Sequence, residues 1–154
     1  PHPTAQYPSE NFELCKYRVA EVPFEEKNKL VFSRDKEKEQ QLFDKIVGEH
    51  QEYAVVHHTD SLGGKAEIPE ISLPIVEVEV VPNYNIQDWF LIFSKAKEIY
   101  CIESSVHQFL DGIVNHITDK RFLLRRPVVP MGTRFTVSTH WELDHIGKNS
   151  RIKG

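Results

Sequence analysis

Apolar residues recur along this chain with two periods, and the change from one to the other marks its central unit, Asn85 to Ile117. Ile86, Trp89, Phe90, Ile92 and Phe93 lie at helical spacing behind Asn85, a residue that caps helices, and Asp88 adds a carboxylate where the helix dipole favours one. Ile99, Tyr100, Cys101 and Ile102 then form an unbroken apolar run, as expected of a strand covered on both faces. The run stops at Glu103-Ser104-Ser105, where either serine can cap a second helix and Ser105 with Gln108 fits a capping box. That helix buries Val106, Phe109, Leu110, Ile113, Val114 and Ile117 and carries His107 and His116 on its flanks.

The same reading extends outward. Residues 1–10 hold three prolines and no periodicity, which predicts an irregular lead-in. Patches between Asn11 and Phe32 alternate partly with charge, as in an edge strand or an arm packed on the domain. Asp35 to His50 reads as a helix with Leu42, Phe43, Ile46 and Val47 on one face and a solvated charged start. Tyr53 to Val56 and the alternating Ile75 to Val81 read as strands, the second exposed on one face or at an edge. Another strand is expected within Arg121–Val129, ending in a basic turn; Arg134–Thr139 alternates again, Trp141–Ile146 suits a short closing helix, and the tail should fray. The sum is an α/β protein with residues 1–34 as an N-terminal arm or edge strand and 35–154 as one domain. The expected architecture is three-layered and Rossmann-like, with a mostly parallel sheet, helices on both faces and right-handed crossovers.

Composition bounds the function classes. The 154 residues, 40% hydrophobic and 27% charged, suit one globular domain, and a net charge of −4 gives no general pull toward nucleic acid, so an anion site must be local. No apolar window reaches the roughly 18 residues of a membrane helix, and the N-terminus has no signal-peptide core, so a cytoplasmic location is expected. The two cysteines make neither a disulfide framework nor a metal cluster. The chain starts at Pro1 and its one methionine is Met131, which suggests a removed start or the C-terminal part of something longer.

The motif search excludes more than it admits. Dinucleotide-binding and Walker glycine loops, zinc-protease histidine pairs and nucleophile elbows are absent from the sequence. His57 and His58 point to opposite faces of an ideal strand, so no metal is expected there. Ser104, His107 and Asp111 are spaced as neighbours along one helix turn, not as a nucleophile facing its base. What remains is a crevice past the carboxyl ends of two strands, where open α/β sheets bind ligands. One wall is the loop from His57 to Gly64, with His58, Asp60, Ser61 and Gly63; the other is Ser104-Ser105. Both features also suit plain structural roles, a tight turn and a helix cap. Arg125, Arg126 and Arg134 are cationic partners suited to a diphosphate held at a helix start.

The order helix, Ser94-Lys95-Ala96-Lys97, Glu98-Ile99-Tyr100-Cys101-Ile102, Glu103-Ser104-Ser105, helix, preceded by Val56-His57-His58-Thr59-Asp60-Ser61, resembles the nucleotide-sugar-binding half of GT-B-type glycosyltransferases of heptosyltransferase-like and fucosyltransferase-like kind. The likeness covers roughly residues 50–146. It implies a donor-binding domain in which Ser104 and Ser105 meet the diphosphate of a nucleotide sugar and Glu103 lies near the sugar or ribose, with no other cofactor. It also implies a transferase only if an acceptor domain is supplied elsewhere. Glu103 stands where Asp is more usual, His107 one place earlier than the heptosyltransferase histidine, and the N-terminal acceptor domain is absent from the 154 residues. The alternative is a non-catalytic interaction domain, a homodimer for instance, acting through the exposed edge at Ile75–Val81 or through the N-terminal arm.

Overall fold

The computed structural model describes residues 12–124 and 140–143. Five parallel strands form one sheet in the order β2-β1-β3-β4-β5. They are β1 (Ala54–His57), β2 (Ile75–Glu77), β3 (Glu98–Ile102), β4 (Arg121–Leu124) and β5 (Glu142–Leu143). The helices are α1 (Phe12–Val19), α2 (Lys36–Ile46), α3 (Phe90–Lys95) and α4 (Ser105–Gly112). Three 3-10 turns, Phe24–Asn28, Ile86–Trp89 and Val114–His116, complete the described elements. This is the α/β, Rossmann-like parallel sheet that the apolar runs predict.

The central strands alternate between two cores. Val55, Ile99, Cys101 and Leu123 face the helical layer, packing with Leu42 of α2, Phe93 of α3 and Phe109 and Leu110 of α4. Ala54, Val56, Tyr100, Ile102 and Leu124 face the other way, where Ala66, Ile68, Ile71 and Leu73 of the β1–β2 connection cover them. Among the described residues, one face is therefore layered by helices and the other by an extended segment.

Local chemistry sets the element boundaries. Asn85 and Asp88 form a complete capping box, with Asn85 Oδ1 accepting from the Gln87 and Asp88 amides and Asp88 Oδ2 accepting from Asn85 N–H at 2.8 Å. Asp35 caps α2 through the Lys38 amide. On α2, the buried Glu39 is held by a two-pronged ion pair with Arg34, whose guanidinium stacks 3.9 Å over the Phe90 ring.

Three expectations need correction. Residues 12–28 fold as α1 and a 3-10 turn, not as an edge strand; α1 is too short to repeat a helical pattern twice, so its apolar spacing is ambiguous in the sequence. Beyond Lys29 the chain lies against the helical layer, where Leu30 N–H bonds Gly112 O at 3.0 Å and Phe32 packs on Phe90 and Phe109. Second, Glu142–Leu143 extends the sheet beside β4 in place of a closing helix. Third, β2 stops at Glu77, because its last register partner is Val56 and β1 then turns into a hairpin. The Arg134–Thr139 strand, the basic turn and the tail lie outside the described residues.

Candidate functional site

In this strand order the chain leaves β1 toward one sheet edge and β3 toward the other, so their carboxyl ends flank the topological switch point where open α/β sheets bind ligands. His57 closes β1 opposite Cys101 of β3. Strand alternation turns its ring toward the helical layer, placing Nδ1 3.3 Å from Ser104 Oγ and 3.8 Å from Cys101 Sγ.

Ser104 is the N-cap of α4. Its Oγ accepts from the His107 amide at 3.3 Å, while Gln108 N–H bonds Ser104 O at 3.1 Å. The amides of Ser105 and Val106 thus precede the helix ladder and lie at the positive end of the α4 dipole, next to the carboxyl end of β3. Ser105 is exposed and Glu103 half-buried. The capping box expected of Ser105 with Gln108 does not form, because the helix begins one residue earlier and Ser104 holds the cap.

His58, on the opposite face, sets Nδ1 3.1 Å from Ala66 O and Nε2 3.0 Å from Glu77 Oε1, tying the hairpin to β2. The two histidines therefore diverge as strand alternation requires. Asp60 organises the turn beyond them, its Oδ1 accepting from Leu62 N–H at 2.9 Å and Gly64 N–H at 2.8 Å. Gly63 has φ +84°, a left-handed conformation that suits glycine, and a Cβ on Gly64 would stand 2.9 Å from the Asp60 carboxylate. The glycines thus serve the turn's own geometry. Ser61 is exposed at its tip. Of the sequence candidates, His57 and Ser104 are brought into contact, Ser105 and Glu103 adjoin them in sequence, His58 faces away, and Arg125 and Arg126 lie outside the described residues.

Burial favours the neutral forms of His57 and Cys101. Desolvation lowers the His57 pKa, neighbouring His58 lowers it further, and Glu77 opposes both. Burial pushes the Cys101 thiol far up, against a hydrogen bond from Ser104 that lowers it. No group of three or more metal-ligating side chains occurs among the described residues.

A second polar cluster was not legible as one. His107, expected on a flank of its helix, is fully buried, with its ring 4.6 Å from the Trp141 indole and Nε2 3.9 Å from Asp111 Oδ1. Asp111 in turn accepts from Trp141 Nε1–H at 2.7 Å and pairs with Lys27 Nζ at 3.0 Å. Only the i, i+4 spacing of His107 and Asp111 hinted at it; the segments that bury them come from distant parts of the chain. No known protein family, curated protein sequence or solved structure matches the chain.

Proposed function

We propose that this chain is the donor-binding domain of a glycosyltransferase, holding the diphosphate of a nucleotide sugar at the start of α4. The observation that carries the reading is the contact of His57 Nδ1 with Ser104 Oγ, 3.3 Å apart at the switch point of the sheet. The arrangement suits a diphosphate: the Ser105 and Val106 amides and the exposed Ser105 hydroxyl supply donors, and the dipole supplies positive potential. His57 holds the Ser104 hydroxyl in its capping position and so fixes the first turn of the helix. When the glycosyl group leaves, charge builds on the diphosphate, and donors already in place stabilise it without reorganisation. Arg125 and Arg126 are the cationic partners in this reading, and an acceptor domain completes the enzyme.

Isothermal titration with uridine, guanosine, adenosine and cytidine diphosphates tests it. One diphosphate should bind at micromolar to millimolar concentration, and the absence of heat with all four would reject donor binding by this chain. The alternative, pairing through the sheet edge, has Ile75 half-exposed and Val80 almost fully exposed beside it. The edge itself is the three-residue β2, directly preceded by Pro74, a short edge of the kind that resists pairing. A tight dimer without nucleotide affinity would favour that alternative.

A further inference from the structure

Asp111 joins three parts of the chain that are remote in sequence. Its carboxylate is almost completely buried and takes the Trp141 indole N–H, from the β5 segment, on Oδ1. Lys27, from the 3-10 turn after α1, pairs with Oδ2 at 3.0 Å. Arg121 of β4 reinforces the same join, donating from Nε to His140 O at 2.9 Å and from Nη1 to Val114 O at 3.1 Å. One turn before Asp111 on α4, His107 is sealed from solvent and, among the described residues, neither ring nitrogen has a hydrogen-bond partner. A neutral imidazole carries one N–H donor and one acceptor, and here both go unused, an arrangement that native interiors seldom tolerate without cause.

We infer that His107 and Asp111 form an acid-operated latch: with His107 neutral, Asp111 clasps Trp141 and Lys27 against α4, and when His107 takes up a proton it claims Asp111 Oδ1 and releases the Trp141 segment. The step is a single proton uptake from solvent. It turns both ring nitrogens into donors and puts a positive charge 3.9 Å from the oxygen that Trp141 now occupies. Among the described residues, the charged groups facing the ring are Asp111 on its own helix, which favours the proton, and Lys27 from the 3-10 turn, which opposes it. The Cys101 thiol of β3 stays neutral through burial, and Arg121 turns its guanidinium to the two carbonyls. Desolvation outweighs Asp111 and holds the His107 pKa down to about 4, so the latch is shut at neutral pH. The inference does not rest on nucleotide-sugar binding.

The indole N–H resonances of the whole chain, followed by NMR from pH 8 to pH 3 at constant ionic strength, report the latch directly. The chain has two tryptophans, and Trp141→Phe identifies the Trp141 signal. The Trp141 resonance should move with a midpoint below the ordinary imidazole range, before far-UV circular dichroism changes, and the movement should vanish in His107→Phe. His107→Gln, which also cannot take up a proton, serves the same purpose if the Phe variant does not fold. A Trp141 signal that stays fixed over the range, moves equally in the His107 variant, or changes only together with loss of helix would overturn the latch.

Discussion

The two ends of the α4 neighbourhood hold similar side chains under opposite conditions. At its start, Ser104 and His57 touch each other at the carboxyl ends of β1 and β3, and His57 remains half-exposed. One turn in, His107 and Asp111 are closed off by Lys27 and Trp141. Both are clusters of histidine with an oxygen-bearing residue, yet only the first can meet a solute. Residue type therefore does not distinguish site from structure here; access does, and access is set by segments packed from far along the chain.

Breaking the buried cluster should have the largest effect. Asp111→Ala leaves the Lys27 ammonium and the Trp141 indole N–H without their shared acceptor, and removing one partner of a buried ion pair costs about 3–5 kcal/mol, measurable by urea denaturation. Asp111→Asn should cost less, because the amide oxygen still accepts from Trp141.

The pH dependence of stability sharpens the contrast. His107 has a folded pKa of about 4, below the ordinary 6.5, so between these values the unfolded chain binds more protons than the folded one. Its contribution is fully present above about pH 6.5 and is lost as pH falls toward 4, with a slope of up to about 1.4 kcal/mol per pH unit for one group. His107→Phe should flatten this slope in chemical denaturation at a series of pH values. His57, also lowered but half-exposed, should leave a smaller residue of the same sign.

At the open end the structural effects are smaller. Ser104→Ala removes the N-cap and should cost about 1 kcal/mol in thermal or urea unfolding. His57→Asn should change stability by less and alter ligand affinity mainly through the Ser104 rotamer, visible as a weaker dissociation constant with the melting temperature nearly unchanged.

The sequence carried the frame well where signals were local. The apolar runs of β1 and β3, the Asn85–Asp88 cap and the opposed faces of His57 and His58 each follow from residues within a few positions of one another. The meeting of the β1 and β3 carboxyl ends could be anticipated because strand ends and turn residues coincide. What was not legible depends on long-range packing. The burial of His107 requires Lys27 and Trp141, the end of β2 is set by where β1 turns, and residues 12–28 are too short and mixed a segment for periodicity to decide. Asp60 and the two glycines suit by type either a ligand-facing loop or a tight turn, and their bonds describe a turn built on the Asp60 carboxylate.

Titration of the wild-type chain and of Ser104→Ala/Ser105→Ala with the four nucleoside diphosphates, well below the variant's melting temperature, tests the donor-site claim most directly. The wild type should bind one of the diphosphates. The variant should lose about 1.5–3 kcal/mol, roughly tenfold or more in affinity, because the Ser105 hydroxyl's hydrogen bond to a charged ligand disappears together with the Ser104 cap that holds the first turn. Equal affinity in the folded variant, or no binding by the wild type at millimolar concentration, would contradict it.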